Sequence, residues 1–356
     1  MKRLLLSVFA IAALASCMQD EVISQDQQAI DFGTPFVDKA TKAIDYSYSA
    51  TNLLKEIYVY GTVKGTATAP VSIFEHEKVW TTADDGDYTK VWNCNKTQYW
   101  IPGAAYKFVA VNGMGNTKTD AIELENGLPK TLEFTSNGQT DLVAGYVETT
   151  AGTTNSVVSF TMSHLLSKVK FTVKNTTNAS DDTATSDFYY KVTDIKLTNA
   201  ATSGTCTLTC NSNNTVSGAW TSTPGVVSFG NATNATVKGA ENVAVEIGDR
   251  AKVTSHDELL VVPAIYPNED DKKLGVQFTI GLYAKNGDNN PSNDAVINEP
   301  ATKTVAVPVE FVAGNAYNFI IEVSVGQKIQ FTVAANPTWA DDGDEDDVVF
   351  SGAVTL

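Results

Sequence analysis

Four cysteines, three histidines and two dense runs of carboxylates are the residues of this 356-residue chain whose types could do chemistry. His76, His164 and His256 lie too far apart to share one strand or helix face, the spacing that a zinc site uses. Glu75-His76-Glu77 could touch a cation, but alternation on a strand would split those side chains between two faces, so a solvated edge is expected. Asp84, Asp85 and Asp87, and the acids from Asp341 to Asp347, have the carboxylate density that calcium needs. Neither run completes the spaced loop with its terminal glutamate, so both read as solvated turns. A Gly-x-Ser-x-Gly elbow, a phosphate-cradling glycine loop and a His-Glu-x-x-His helix are all missing from the sequence. Carboxylate pairs assembled from distant loops leave no linear trace, but no catalytic residue, metal or cofactor is expected from these patterns.

The thiol of Cys17 stands apart. Lys2 and Arg3 form a basic start, Leu4 to Leu14 an apolar run of signal-peptide length, and Leu14-Ala15-Ser16-Cys17 resembles the lipobox of bacterial lipoproteins. There the small residues admit a peptidase and the cysteine becomes the lipidated N-terminus, so residues 1–16 are expected to be a lipoprotein signal and Cys17 the lipidation site. An acyl anchor contributes about 0.8 kcal/mol per buried methylene, enough with several chains to hold a protein to the outer membrane without a spanning helix. Met18-Gln19-Asp20-Glu21 looks like the acidic export signal that sends some lipoproteins to the cell surface. The remaining Cys94, Cys206 and Cys210 are odd in number. Cys206 and Cys210 alternate with threonines, so on a strand both point inward about 13 Å apart, four rises of ~3.3 Å. That is too far for a disulfide, and buried free thiols are expected.

The elements that must carry these groups are strands. Charged residues are only 19% of the chain, and Thr, Val, Asn and Ala recur in short alternating runs, the pattern of antiparallel sheets. An all-β protein is predicted, and its length suits two domains. A net charge of −16 and a pI near 4.6 remove nucleic acid as a partner. Ile57-Val59-Gly61-Val63, Tyr106-Phe108-Ala110, Leu142 to Tyr146 and Val158-Phe160-Met162-His164 each present an apolar face. Trp80, Trp92, Tyr99 and Trp100 fall among them, as core residues or as a platform for sugars. Past Leu166 the alternation resumes at Val169-Phe171-Val173, Val276-Phe278-Ile280-Leu282, Val305-Val307-Val309-Phe311, Phe319-Ile321-Val323-Val325 and Ile329-Phe331-Val333. Domains are therefore expected over 43–166 and 167–340, with no internal repeat of fixed period. Residues 17–42 read as a polar tether or as a removable first strand around Ile30 and Phe32, ending near Lys39 and Lys42.

The last stretch, 341–356, is an acidic hinge followed by a strand. Val348, Phe350, Val354 and Leu356 share one face, with Gly352 among them. Such a strand can close its own sheet, or it can dock into a neighbouring copy, where main-chain hydrogen bonds supply affinity and alternate side chains register.

In order along the chain, the lipobox at Cys17, Thr41-Lys42-Ala43, Ile57-Tyr58-Val59-Tyr60-Gly61, Asp141-Leu142-Val143 and Phe160-Thr161-Met162-Ser163-His164-Leu165-Leu166-Ser167-Lys168-Val169 resemble the fimbrillin family. So do Leu259-Leu260-Val261-Val262-Pro263, Gly314-Asn315-Ala316-Tyr317 and the strand closing at Trp339. That family comprises the lipoprotein precursors of type V pilus subunits. The resemblance implies two transthyretin-like antiparallel β-sandwich domains in tandem and export as a lipidated precursor. It implies proteolytic processing at Lys39 or Lys42, where the family more often has an arginine, to remove the first strand. A donor strand carrying Val348, Phe350, Val354 and Leu356 of a neighbour would then fill the groove. The partners so implied are other fimbrial subunits through strand exchange, the outer membrane through the lipid on Cys17, and host or bacterial surface ligands. The function is a stalk or tip subunit mediating adhesion; the alternative is a non-polymerising surface lipoprotein that binds glycans through its tryptophans.

Overall fold

The structure is a computed structural model that describes residues 28–37, 54–66, 69–82, 92–114, 121–151, 157–175, 188–228, 243–246, 253–254, 259–269, 271–284, 286–287, 293–323, 329–336 and 348–354. Cys17, Lys39, Lys42, His256, Trp339, Leu356, residues 84–87 and the acids of 341–347 lie outside them. The described residues form an all-β protein without an α-helix, and no helix is long and apolar enough to cross a membrane.

One sheet lies between two cores. It runs β1 (Phe36–Val37), β9 (Thr161–His164), β8 (Val143–Thr150), β5 (Ala105–Asn112), β2 (Glu56–Lys64), β3 (Val71–Trp80) and β4 (Asn93–Cys94). Its inner strands are apolar on both faces: Tyr106, Phe108 and Ala110 face one core, and Val109 and Val111 face the other. Burial on both sides is why β5 reads as a nearly continuous apolar run.

A second sheet is built from β14 (Val253–Thr254), β10 (Ser167–Asn175), β20 (Ala316–Val323), β21 (Ile329–Asn336) and β22 (Val348–Val354), with β15 (Leu259–Val261) also on β10. A third contains β18 (Ala295–Val307), β17 (Leu274–Ala284), β11 (Phe188–Asn211), β7 (Leu128–Thr135) and β6 (Ile122–Glu125), with β12 (Thr215–Ser228) and β13 (Val243–Glu246) on β11. β16 (Ile265–Tyr266) and β19 (Val309–Glu310) form a small ladder. Most pairings are antiparallel, but β1 with β9 and β10 with β20 are parallel.

The 24-residue β11 ties the molecule together. Its first half pairs with β17 and faces the second sheet across a core of Val169, Phe171, Val276, Phe278, Phe319 and Phe331. Its second half pairs with β7 and covers the first sheet through Leu132, Phe134, Cys206 and Leu208. Register shifts at Thr198/Ala200 and Ala201/Ser203, with Asn199 at φ 61°, bend the strand between the two duties. At that bend the Ala201 N–H donates to the Tyr266 hydroxyl at 2.7 Å.

The side chains foreseen as inward in β2, β5, β9, β10, β17, β20 and β21 are buried among the described residues, except that Val63 and Leu282 are half-buried, and in β2, β5 and β10 the opposite face is largely buried too. Two local expectations are corrected. Cys206 is buried, but Cys210, four residues on in the same strand, is exposed, although Val216 opposite it in the hairpin is 4% exposed. His76 is no solvated edge: a bulge in β3 gives it φ 56°, stacks its ring on Tyr58 at 4.5 Å and brings Nδ1 within 2.7 Å of the Tyr60 hydroxyl. Lys168, on the outward face of β10, is only 5% exposed.

Candidate functional site

The arrangement with the clearest capacity to do something is a groove occupied by the chain's own segment Gln28–Val37. Gln28 to Ile30 run antiparallel to Gln98–Trp100: the Ile30 N–H donates to the Gln98 carbonyl at 2.8 Å, and the Trp100 N–H to the Gln28 carbonyl at 3.0 Å. On the other flank the segment runs parallel to residues 158–162. There the Val158 N–H donates to Asp31 at 2.8 Å, the Gly33 N–H donates to Val158 at 2.9 Å, and β1 joins β9. A strand inserted between two neighbours satisfies donors and acceptors on both edges, so its removal would bare two edges at once.

Alternate side chains point into the core. Ile30 is 5% and Phe32 4% exposed, whereas Asp31 is on the outside. The Phe32 ring lies edge-on to Phe74 at 5.4 Å and to Phe108 at 6.2 Å, and stacks on Phe160 at 6.3 Å. Such pairs add about 0.5–1.5 kcal/mol each beyond area burial. The Trp92 indole donates to the Thr34 hydroxyl at 3.1 Å. Gly33 follows the aromatic anchor where space is short: a Cβ there would sit 2.6 Å from Ser159 Oγ and 3.1 Å from Val157 Cγ1.

Trp92 and Trp100 are therefore buried in this core, Trp80 is half-buried and Tyr99 is 40% exposed. The four residues do not form one exposed aromatic platform.

Beneath the groove lies a tyrosine corner. The Tyr106 hydroxyl accepts from the Ile101 N–H at 2.7 Å and donates to the Tyr99 carbonyl at 3.4 Å, and its ring meets Trp100 edge-on at 4.7 Å. Burial raises its pKa, against the lowering effect of the Ile101 hydrogen bond. The same device recurs 211 residues on. The Tyr317 hydroxyl accepts from the Val312 N–H at 2.8 Å, donates to the Glu310 carbonyl at 2.7 Å and packs against Phe311 at 4.8 Å. Gly103 and Gly314 hold matching left-handed turns, φ 77° and 78°, where a side chain would be strained. The pattern aromatic-x-x-Gly-x-x-Tyr-x-Phe, at Trp100–Phe108 and Phe311–Phe319, is thus an internal repeat, where none of fixed period was expected. The signal was there, but only nine residues long.

The repeat extends to the strand lying on it. The Phe311 N–H donates to the Ala264 carbonyl at 2.8 Å and Ile265 pairs with Glu310, as Trp100 does with Gln28 and Ala29 with Tyr99. Tyr266, 5% exposed, takes the place of Ile30. In the second half this slot is filled from the middle of the chain, by residues continuous with β15 and β17. In the first half it is filled by the segment ahead of Lys39 and Lys42.

The other expected element, β22, pairs antiparallel with β21 of its own chain, with Val333 opposite Phe350 and Phe331 opposite Gly352. It is the outermost strand of its sheet. Among the described residues no three His, Cys, Asp or Glu side chains converge as metal ligands.

A family model described as fimbrillin-like matches residues 41–337. Among solved structures, a fimbrial protein from Bacteroides vulgatus ATCC 8482 superimposes with a TM-score of 0.57 at 16% identity, covering 87% of this chain and 99% of that one. A fimbrial assembly protein from Parabacteroides distasonis ATCC 8503 aligns at 0.42 and 12% identity, covering 86% and 95%. The first likeness is one of fold. None of the curated proteins matches.

Proposed function

Because the chain belongs to the fimbrillin-like family, we propose that it is a structural subunit of a cell-surface fimbrium. It is exported as a lipoprotein acylated at Cys17, cut at Lys39 or Lys42 and polymerised by strand exchange. The two tyrosine-corner halves are its two transthyretin-like sandwiches. Cleavage severs Gln28–Val37 from the body while leaving the aromatic floor of Phe74, Phe108 and Phe160 intact. The vacated groove takes residues 348–356 of a neighbouring copy, whose acidic hinge at 341–347 lets the strand leave its own sheet. Adhesion is the role of the assembled fibre.

One observation carries this reading: the first core is completed by a segment held through main-chain bonds on both edges and buried side chains that include Ile30 and Phe32. Main-chain bonds are indifferent to sequence, so any strand with apolar side chains at the right spacing can replace it. The equivalent slot in the second half is filled covalently by Ala264–Tyr266, so each subunit has one slot to offer and one strand to give. That stoichiometry yields a linear fibre.

Deletion of Val348–Leu356 tests the reading. The expected product is a folded, exported, cleaved monomer that gives one band in unboiled gels, where the parent gives a ladder. A ladder from the deleted protein refutes strand exchange.

A further inference from the structure

Within the strand-exchange reading, on which this inference rests, we propose that the incoming strand from a second copy seats in one register. Val348 takes the place of Ile30, Phe350 that of Phe32 and Val354 that of Phe36, with the strand running in the direction of the segment it replaces.

The two segments share a spacing. Ile30-x-Phe32-x-x-x-Phe36 is matched by Val348-x-Phe350-x-x-x-Val354. At the first two of these positions the groove supplies the reason that the spacing decides the fit. Among residues 28–35, positions 30, 32 and 35 are the buried ones, and position 32 is enclosed by the rings of Phe74, Phe108 and Phe160. In the proposed register they receive Val348, Phe350 and Ala353, all apolar.

Slides of one or two residues are worse. Moved by two residues one way, the strand puts Gly352 in the aromatic cage and leaves a cavity the size of a ring. Moved by two the other way, it puts Asp346 in the place of Ile30, burying a carboxylate among apolar side chains. A slide of one residue flips the strand, and in one sense carries the Ser351 hydroxyl into the cage. Reversal of direction about Phe350 brings Gly352 to the Ile30 position. Phe350 is therefore the specificity residue.

The register also places Ser351 at the position of Gly33. There Ser159 Oγ is close and must rotate, and only a small side chain is tolerated. It places Gly352 at the position of Thr34, so the Trp92 indole loses its hydroxyl acceptor.

The same geometry supplies the test. A Cβ at position 33 lies 3.8 Å from Ser159 Cβ, inside the range of about 3.5–4.5 Å that a disulfide spans. In a background where the exposed Cys210 is replaced by serine, Ser159→Cys is combined with Val349→Cys, Ser351→Cys or Ala353→Cys, and processed fibres are oxidised mildly. The proposal expects a ladder that survives boiling and collapses on reduction with Ser351→Cys alone. That ladder with Val349→Cys or Ala353→Cys overturns the register while leaving strand exchange standing. A cross-linked monomer shows the strand returning to its own groove and overturns the second copy as donor. No ladder from the unoxidised parent overturns the strand-exchange reading itself. A second variant needs no cysteine. Exchanging the two residues, Phe350→Gly with Gly352→Phe, keeps composition but moves the ring by two positions. Loss of polymer is expected, and polymer at the parent level overturns the proposal.

Discussion

Locking the first strand in place separates a strand that fills a groove from one that must leave it. The perturbation is Gly33→Cys with Ser159→Cys. The Cβ separation of 3.8 Å needs no backbone movement for the bridge. Cysteine at 33 is compatible with the backbone, because Gly33 is not among the positive-φ residues, and the nearest obstruction, Ser159 Oγ, is itself replaced. The bridge closes a loop on the order of 100 residues, which in the chain-entropy account stabilises the uncleaved protein by about 4–5 kcal/mol. The larger effect follows cleavage at Lys39 or Lys42. The parent holds the severed segment by non-covalent contacts, among them main-chain bonds of about 0.5–1.5 kcal/mol net each and the side chains of Ile30 and Phe32 at about 1.5–3 kcal/mol each. The oxidised variant holds it covalently. The assay follows polymer in unboiled gels after cleavage, with and without reductant. The oxidised variant should remain monomeric with the segment attached, and reductant should restore the ladder to the parent level. Polymerisation of the oxidised, cleaved variant at the parent rate would falsify the assignment of this groove as the acceptor site, since the slot is then occupied throughout. Recovery on reduction guards against misfolding as the cause of any loss.

Two further outcomes follow from the same structure. Tyr106→Phe and Tyr317→Phe each orphan one N–H and one carbonyl, Ile101 with Tyr99 and Val312 with Glu310. Both should cost about 1–3 kcal/mol in denaturant unfolding, and a silent member would break the equivalence of the two corners. Burial pushes Tyr60 and Tyr266 up to about 12, against about 10 in an unfolded chain. Below pH 10 both states keep the protons; between pH 10 and 12 only the folded state does, so stability falls as pH rises, by about 1.4 kcal/mol per unit for each tyrosine. Urea midpoints that agree at pH 9 and pH 11 would contradict this.

Much of the fold was legible because burial in sheets is written locally. Val169-Phe171-Val173, Val276-Phe278-Ile280 and Phe319-Ile321-Val323 alternate, and each of those side chains is 0–2% exposed. Alternation needs only neighbours two residues apart, so it survives in the sequence whatever the partners of the strand. The same rule misled at Cys210, which is exposed although Val216 opposite it is buried, and at His76, where a bulge in β3 breaks the alternation. Both depend on what lies opposite the strand, and a local pattern cannot carry that. The groove was half legible: Ile30 and Phe32 showed a brief alternation that fitted a tether as well as a strand.

The sequence by itself determined the all-β class, most of the inward faces and the order of motifs resembling the fimbrillin family. Only the tertiary structure decided that Phe32 stands among Phe74, Phe108 and Phe160, that β11 serves two cores, and that Ala264–Tyr266 repeats the seat of Gln28–Ile30. Those contacts join residues tens to more than a hundred positions apart, and their partners are selected by the closing of long loops and the filling of shared cores. Neither process leaves a mark on the residues next to it in the chain.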